Sequence, residues 1–145
     1  MGIPFANHPG MEHKLDTGLR STRILVVEDA DDIRSVFAML LKSEGAEVVA
    51  TATGREAAEA SERQPFDVVL TDLGLPDIPG DAVIRHVLAN ASRRPRVVVL
   101  TGYDEPFTSR ARQAGADIVL NKPIAWPDLV EHLVPADSAA ESVTA

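Results

Sequence analysis

The sequence contains no cysteine, which excludes a disulfide framework, a thiolate metal site and a thiol nucleophile. Its apolar runs are only a few residues long, whereas a membrane-spanning helix needs roughly 20 apolar residues. No glycine-rich phosphate loop of the G-x-G-x-x-G or G-K-[ST] type occurs. Disulfide-stabilised, membrane-spanning and nucleotide-binding proteins are therefore disfavoured.

The charge balance is acidic, with a formal net charge of -8 and a pI near 4.9. Such a surface repels nucleic acid and anionic membranes, so we expect neither as a partner. The 145 residues, 45% of them apolar, can bury one core. We expect one folded domain at residues 22–134 between disordered tails at 1–21 and 135–145, which lack apolar periodicity.

Five short apolar runs punctuate the sequence without alternating with polar residues. Strands of a parallel sheet give this pattern, because helices cover both faces of the sheet. The pattern predicts strands at residues 24–27, 48–50, 68–70, 97–100 and 118–120.

Helical signals lie between and after these runs. The clearest is the i, i+3, i+4 repeat of Ile33, Val36 and Phe37, which continues to Leu41 and stops at Gly45. Further helices are predicted at 54–63, at 83–88, at 107–114 and at 129–133, the last following Pro127 as a favourable first helical residue. Because parallel crossovers are right-handed, this alternation predicts an α/β fold, a doubly wound sheet in a three-layer α/β/α sandwich.

Polar residues follow the predicted strands at the point where each strand ends. In open parallel sheets the ligand site lies beyond the carboxyl ends of the strands, so these residues should share one rim. They are Glu28 and Asp29 after the first strand, Asp72 after the third, Thr101 after the fourth, and Lys122 with Pro123 after the fifth.

Each of these residues also has a purely structural interpretation. Asp29 or Asp32 could cap the following helix, Asp72 could be a turn residue, and Lys122 could lie in a surface turn. Their joint occurrence favours a site, because three clustered carboxylates repel one another unless a cation lies between them.

Magnesium fits such a set, since it prefers oxygen ligands and is commonly held by one or two carboxylates plus a phosphate. Thr101 and Lys122 would then supply a hydroxyl and a positive charge for phosphoryl oxygens. The residues therefore predict a site for phosphoryl transfer.

The residue pattern resembles the receiver domain of two-component response regulators, in its stand-alone, chemotaxis-type form. The resemblance spans residues 23 to about 133 and implies a flavodoxin-like, five-stranded sheet. It is carried by Glu28-Asp29, Asp72-Leu-Gly-Leu-Pro76 with Gly80, Thr101-Gly102 and Lys122-Pro123.

The resemblance implies that Asp72 accepts a phosphoryl group from a phosphohistidine of a sensor histidine kinase or histidine phosphotransfer protein. Mg²⁺, or Mn²⁺, would be held by Glu28, Asp29, Asp72 and the carbonyl of Gly74. Lys122 would pair with Asp72 and then with the phosphate, and a cis bond would precede Pro123. The chain would catalyse its own phosphorylation and slow dephosphorylation without being an enzyme in the usual sense.

Two positions depart from the family pattern or extend it. Val119 stands where the family often has a tyrosine, which excludes a tyrosine rotamer switch there. Tyr103, two residues after Thr101, is hypothesised to screen the acyl phosphate or to offer a substitute partner surface. We expect the switch and output residues to be Thr101, Tyr103, Val119 and Pro123, with the helix of Arg110 and Arg112 as the output face.

Two other functions compete with this one. Aspartate-nucleophile phosphatases need a second acid two residues after the nucleophile, and that position is Gly74. A phosphate-independent binding module is disfavoured because Asp72 and Lys122 are both present. Because no DNA-binding or catalytic domain is expected after Val134, we expect output through surface contacts, through further phosphotransfer to a histidine protein, or through a partner outside this chain. We expect a cytoplasmic protein that is a monomer or weak homodimer and has a downstream protein partner.

Overall fold

The computed structural model describes residues 18–135, which form a single parallel sheet flanked by helices. The strand order is β2-β1-β3-β4-β5, and every neighbouring pair is parallel. This arrangement confirms the predicted α/β class and the doubly wound five-stranded sheet. The strands are β1 Arg23–Val27, β2 Glu47–Thr51, β3 Val68–Thr71, β4 Arg96–Thr101 and β5 Ile118–Asn121.

A helix follows each strand, and the first four helices return the chain to the start of the next strand. The helices are α1 Asp31–Ser43, α2 Gly54–Arg63, α3 Gly80–Asn90, α4 Phe107–Ala114 and α5 Trp126–Leu133. Helices α2, α3 and α4 pack on one face of the sheet, and α1 and α5 pack on the other. The result is the predicted three-layer sandwich.

Two hydrophobic cores explain why the apolar runs are unbroken. Along β1, Leu25 and Val27 face the core shared with α2, α3 and α4, whereas Ile24 and Val26 face the core shared with α1 and α5. All four side chains are at most 1% exposed. A strand covered on both faces needs apolar residues at every position, so the alternation typical of half-exposed strands is absent.

The ends of the elements extend beyond the apolar runs that predicted them. Strands gain polar terminal residues such as Arg23 and Thr101, because the backbone ladder continues after the apolar run stops. Helix α5 begins at Trp126, so Pro127 occupies the second helical position and not the first. Helix α1 has Ala30 as its N-cap without a side-chain capping bond, so neither Asp29 nor Asp32 caps it.

The packed part of the chain begins before the boundary predicted at residue 22. Leu19 is fully buried in the core with α1 and α5. The N–H of Ser21 donates to the carbonyl of Gly45 at 2.9 Å, which ties this segment to the turn after α1. The remaining parts of the predicted tails, 1–17 and 136–145, lie outside the described residues. Between residues 18 and 135, no helix has the length and apolar character to cross a bilayer.

Candidate functional site

Three carboxylates meet at the rim formed by the carboxyl ends of β1 and β3. Glu28 and Asp29 follow β1, and Asp72 follows β3. One carboxylate oxygen of each lies within 4.8 Å of those of the other two. The two strands are adjacent and parallel, with Val27 paired with Thr71, so the residues that follow them converge.

The carboxyl group of Asp72 is oriented by its own loop and by a lysine. Its Oδ1 accepts hydrogen bonds from the N–H of Leu73 at 2.6 Å and from that of Gly74 at 3.4 Å. Its Oδ2 accepts a hydrogen bond from Lys122 Nζ at 3.1 Å. The side chain is 16% exposed, so it is held in place and still open to a reactant from outside.

Lys122 is the only cation that forms an ion pair with these acids among residues 18–135. Besides the contact with Asp72, its Nζ lies 3.9 Å from Glu28 Oε1. The lysine directly follows β5, and its N–H donates to the carbonyl of Thr101 at the end of β4. One ammonium group therefore pairs with two of the three clustered carboxylates.

Glu28 is the most buried of the three acids, with 3% of its surface exposed. Burial raises the pKa of this carboxyl above its ordinary value, and the charge of Asp72 and a contact with Asp29 add to the rise. The N–H of Ala30, 3.1 Å from Oε2, and the ammonium of Lys122 act in the opposite direction. The cluster is short of positive charge.

The donor set fits a hard divalent cation. All three candidate ligands are carboxylates, with no histidine among them and no cysteine anywhere in the sequence. Magnesium and calcium prefer oxygen ligands, whereas zinc sites favour nitrogen and sulfur. A cation bound here would supply the charge that Lys122 alone does not provide.

Thr101 is fully buried at the end of β4, on the same rim. Its Oγ1 accepts a hydrogen bond from the N–H of Tyr103 at 3.0 Å. Its own O–H donates to no group within the described part of the chain. That proton is therefore free to form a further hydrogen bond.

Tyr103 covers the loop that follows Asp72. A Cβ added to Gly74 would lie 2.7 Å from Tyr103 Oη, so the end of the ring touches the Gly74 backbone. The ring centroid lies 5.2 Å from that of Phe107, and Arg110 Cζ lies 5.6 Å from the Phe107 centroid. The structure thus brings Tyr103 to the predicted site, while its screening role stays a prediction.

The two other predicted switch positions lie on β5 and just after it. Val119 is half-buried and packs on the core shared with α2, α3 and α4. The peptide bond between Lys122 and Pro123 is cis, as the resemblance implied. Of the predicted site residues, Val119 alone lies within a strand and away from the rim.

Arg34 belongs to the site but was not predicted from the sequence. Its Nη1 donates to the backbone carbonyls of Glu28 at 3.0 Å and Asp29 at 3.4 Å, and its Nη2 lies 2.5 Å from Asp31 Oδ1. The guanidinium therefore holds the turn that carries two of the acids. A single arginine in the first turn of a helix has no sequence pattern that distinguishes it from a solvated one.

Gly80 lets the start of α3 approach the Asp72 loop. A Cβ at this position would lie 2.6 Å from Leu73 Cα and 2.9 Å from the carbonyl oxygen of Asp72. Both are backbone atoms, which cannot move aside as a flexible side chain can. The glycine in the sequence motif is therefore explained by the close approach of two backbone segments.

Known proteins resemble this chain in sequence and in fold. The sequence profile of the response regulator receiver domain matches residues 24–134. The transcriptional regulatory protein PdtaR of Mycobacterium tuberculosis is 36% identical over 126 residues, which is 85% of this chain and 60% of that protein. The chain therefore spans less than two thirds of the length of this relative.

Two solved structures show the same fold, and this chain spans nearly the whole length of each. The CheY-like receiver domain protein of Methanospirillum hungatei superposes with a TM-score of 0.77 at 27% identity, over 86% of this chain and 99% of that one. The receiver domain of the sensor histidine kinase PA1611 of Pseudomonas aeruginosa gives 0.70 at 29% identity, over 79% and 98%. The latter structure has a magnesium ion coordinated in its active site cleft.

Proposed function

The chain belongs to the response regulator receiver domain family, and from that premise we propose that Asp72 is the residue that accepts the phosphoryl group. The observation that carries this proposal is the three-acid cluster closed by one lysine at the sheet rim. Of the three acids, Asp72 is the one whose carboxylate forms a hydrogen bond with the lysine. Receiver domains act in phosphorelay signalling, so the phosphorylated state is the signal.

The donor we propose is a phosphohistidine on a sensor histidine kinase or a histidine phosphotransfer protein. A carboxylate oxygen of Asp72 attacks phosphorus, the P–N bond to the histidine breaks, and the imidazole leaves with the electron pair. An Asp72 acyl phosphate and an unphosphorylated histidine result. Lys122, 3.1 Å from Oδ2, is placed to follow the negative charge from the carboxylate to the phosphoryl oxygens.

We assign Glu28, Asp29 and Asp72 as ligands of Mg²⁺, with Mn²⁺ as a substitute, and the carbonyl of Gly74 as a further ligand. When bound, the metal would neutralise charge on the phosphoryl oxygens. The O–H of Thr101 donates to one of those oxygens, and Arg34 keeps the two acids after β1 in position.

Dephosphorylation in this proposal is hydrolysis of the Asp72 acyl phosphate. Water attacks phosphorus, the bond between phosphorus and the Asp72 oxygen breaks, and inorganic phosphate leaves with the carboxylate restored. The chain thereby catalyses both changes to itself. Family membership also supports a cytoplasmic location, beside the kinase domain that provides the phosphoryl group.

An apolar groove beside the site is suited to the donor protein. It has a volume of about 320 Å³, is shared with the site through Lys122, and is lined by Ile33, Phe37, Ile124 and Trp126 among others. Ile33 is 41% exposed, so the groove presents apolar surface to solvent, as interaction sites do. Because the groove adjoins the acceptor carboxylate, we assign it to a helix of the histidine-bearing donor.

The groove assignment predicts a difference between two donors. Replacing Ile33 with Asp should slow transfer from a phosphorylated histidine phosphotransfer protein and leave phosphorylation by acetyl phosphate unchanged. Equal slowing with both donors would place the defect in the site itself. No slowing with the protein donor would refute the assignment.

Acetyl phosphate with Mg²⁺, followed by intact mass measurement, tests the proposed function. We expect a single phosphate adduct on the parent chain and none on Asp72→Asn. The matched control is Asp67→Asn, at the opposite end of β3, which should form the adduct normally. An adduct that persists in Asp72→Asn, or none in the parent with either Mg²⁺ or Mn²⁺, would contradict the proposal.

A further inference from the structure

Tyr103 links the buried threonine of the site to the surface of α4. On one side, its backbone N–H donates to Thr101 Oγ1 at 3.0 Å. On the other, its ring packs against Phe107 in a tilted arrangement, with centroids 5.2 Å apart and an interplanar angle of 53°. Arg110 Cζ lies over the Phe107 ring, 5.6 Å from its centroid. Three side chains therefore form a continuous stack from the rim to the middle of α4.

The loop that carries Tyr103 lies at the surface, with Gly102 and Tyr103 both exposed. A Cβ built on Gly102 would meet no atom within 4 Å, so the space on that side of the loop is open. Tyr103 and Phe107 are 46% and 45% exposed. The Tyr103 Oη rests on the Gly74 backbone, so a displaced ring would slide across the loop that follows Asp72.

Resting on the proposed function, we propose that Tyr103 is a positioning residue that transmits the state of Asp72 to α4. A phosphoryl group on Asp72 draws the Thr101 hydroxyl toward it, and the hydrogen-bonded N–H of Tyr103 follows. The ring then leaves its place on Gly74 and carries Phe107 and Arg110 with it. Tyr103, Phe107 and Arg110 thus transmit the change in place of an aromatic residue at position 119, because Val119 has no ring.

The sequence offers a single spectroscopic reporter for this movement. Tyr103 is the only tyrosine of the chain, so incorporation of 3-fluorotyrosine gives one ¹⁹F resonance. We expect acetyl phosphate and Mg²⁺ to produce a second resonance whose fraction equals the phosphorylated fraction measured by intact mass on the same sample. An unchanged spectrum with a complete adduct would overturn the proposal, whereas a missing adduct would count against the proposed function instead.

A second variant tests, without phosphorylation, whether movement of the Tyr103 ring reaches Phe107 and Arg110. In Gly74→Ala the added methyl group would lie 2.7 Å from Tyr103 Oη, so the ring must move aside. We expect the tyrosine resonance and the backbone amide resonances of Phe107 and Arg110 to shift together in the unphosphorylated protein. A shifted tyrosine with an unmoved Arg110 amide would show that the stack does not transmit the movement.

Side-chain replacements separate transmission from a merely structural role. Phosphorylated Tyr103→Leu should lose the amide shift at Arg110, and Tyr103→Phe, which keeps the ring, should retain it. Met39→Ala is the matched control, because Met39 is a 62% exposed apolar residue on α1 outside the stack. Retention of the Arg110 shift in Tyr103→Leu, with a normal adduct, would contradict the proposal.

Discussion

The two ends of the same parallel sheet both carry acidic side chains, in opposite electrostatic settings. At the amino end, Asp67 accepts the N–H of Arg23 at 2.8 Å and pairs with Arg93 at 2.6 Å. Asp117 there accepts the N–H of Val97 at 2.7 Å and pairs with Arg94 at 2.9 Å. Each acid has its own arginine and its own strand N–H.

At the carboxyl end, three acids cluster around one lysine. One carboxylate oxygen each of Glu28, Asp29 and Asp72 lies within 4.8 Å of the others. Among the described residues only Lys122 forms ion pairs with this cluster, to Glu28 and Asp72. The comparison shows that a carboxylate at a strand end stabilises the fold where each acid has its own arginine and its own N–H donor. Where acids outnumber their basic partners, mutual repulsion destabilises the arrangement unless a bound cation offsets it.

The largest expected effect is on Mg²⁺ affinity, from a substitution in the acid cluster at the carboxyl end of the sheet. Glu28→Gln should lower the affinity for Mg²⁺ about 100-fold, because a charged ligand is lost where even supporting residues matter about 10- to 100-fold. Calorimetric titration with Mg²⁺ measures the change. Asp67→Asn, with the same loss of one charge at the amino end, should bind Mg²⁺ like the parent, and a comparable loss there would remove the distinction between the ends.

The next largest effect is on stability, from a substitution at the amino end of the sheet. Asp67→Ala leaves the N–H of Arg23 without its acceptor, so the free energy of unfolding should fall by about 1–3 kcal/mol. Urea denaturation measures this fall. Phosphorylation by acetyl phosphate should keep its parental rate in the folded fraction. A stable variant with a slowed reaction would mean that the amino end serves the site after all.

A smaller effect concerns the residue that holds the acids after β1. Arg34→Ala removes the bonds to the carbonyls of Glu28 and Asp29, so Mg²⁺ affinity should fall about tenfold. Excess Mg²⁺ should restore the phosphorylation rate, because the ligands themselves are still present. Arg63→Ala, which removes an exposed arginine of α2, is the control and should change neither quantity. Failure of excess Mg²⁺ to restore the rate would show that Arg34 takes part in the transfer.

The smallest effect is expected at an acid that lies near the carboxyl end of the sheet but has its own hydrogen-bond donors. Asp77 accepts the N–H of Gly54 and Arg55, each at 2.9 Å, at the start of α2. Burial alone would raise the pKa of Asp77, but these N–H groups outweigh it and hold the pKa below its ordinary value of 3.8. Asp77→Ala should therefore cost about 1 kcal/mol of stability at neutral pH.

The pH dependence of that difference follows from the sign of the shift. A carboxyl with a lowered pKa stabilises the fold above its unfolded pKa of 3.8 and loses this contribution as the pH falls through the folded value. Denaturation of parent and Asp77→Ala should thus converge below pH 3.8. A difference that grows on acidification would contradict the capping role.

Much of the fold follows from the sequence because burial on both faces leaves an unbroken apolar run for each strand. The ends of the elements do not follow from it, since polar residues such as Arg23 continue a strand wherever the ladder finds a partner. The convergence of Glu28, Asp29, Asp72 and Lys122 was predictable, because parallel strands end at one rim. The chemical roles of these residues remain predictions.

Other features could not be read from the sequence. Asp67 and Asp117 accept hydrogen bonds from strand N–H groups of residues that are distant in sequence. Acids that precede a strand also show no periodic pattern that would reveal these bonds. The contact of Tyr103 with Gly74 depends on the path of two loops, which local residue preferences do not specify. Capping by Asp29 or Asp32 was locally reasonable, but α1 begins at Asp31 without a side-chain cap.

Locating the phosphoryl group is the most direct test of the account. After reaction with acetyl phosphate and Mg²⁺, borohydride reduces an aspartyl phosphate to homoserine, and tandem mass spectrometry of the peptides finds the altered residue. The account predicts homoserine at position 72 and at no other position. Homoserine at Asp29, Asp67 or Asp117, or none at 72 in a chain that carries the adduct, would contradict it.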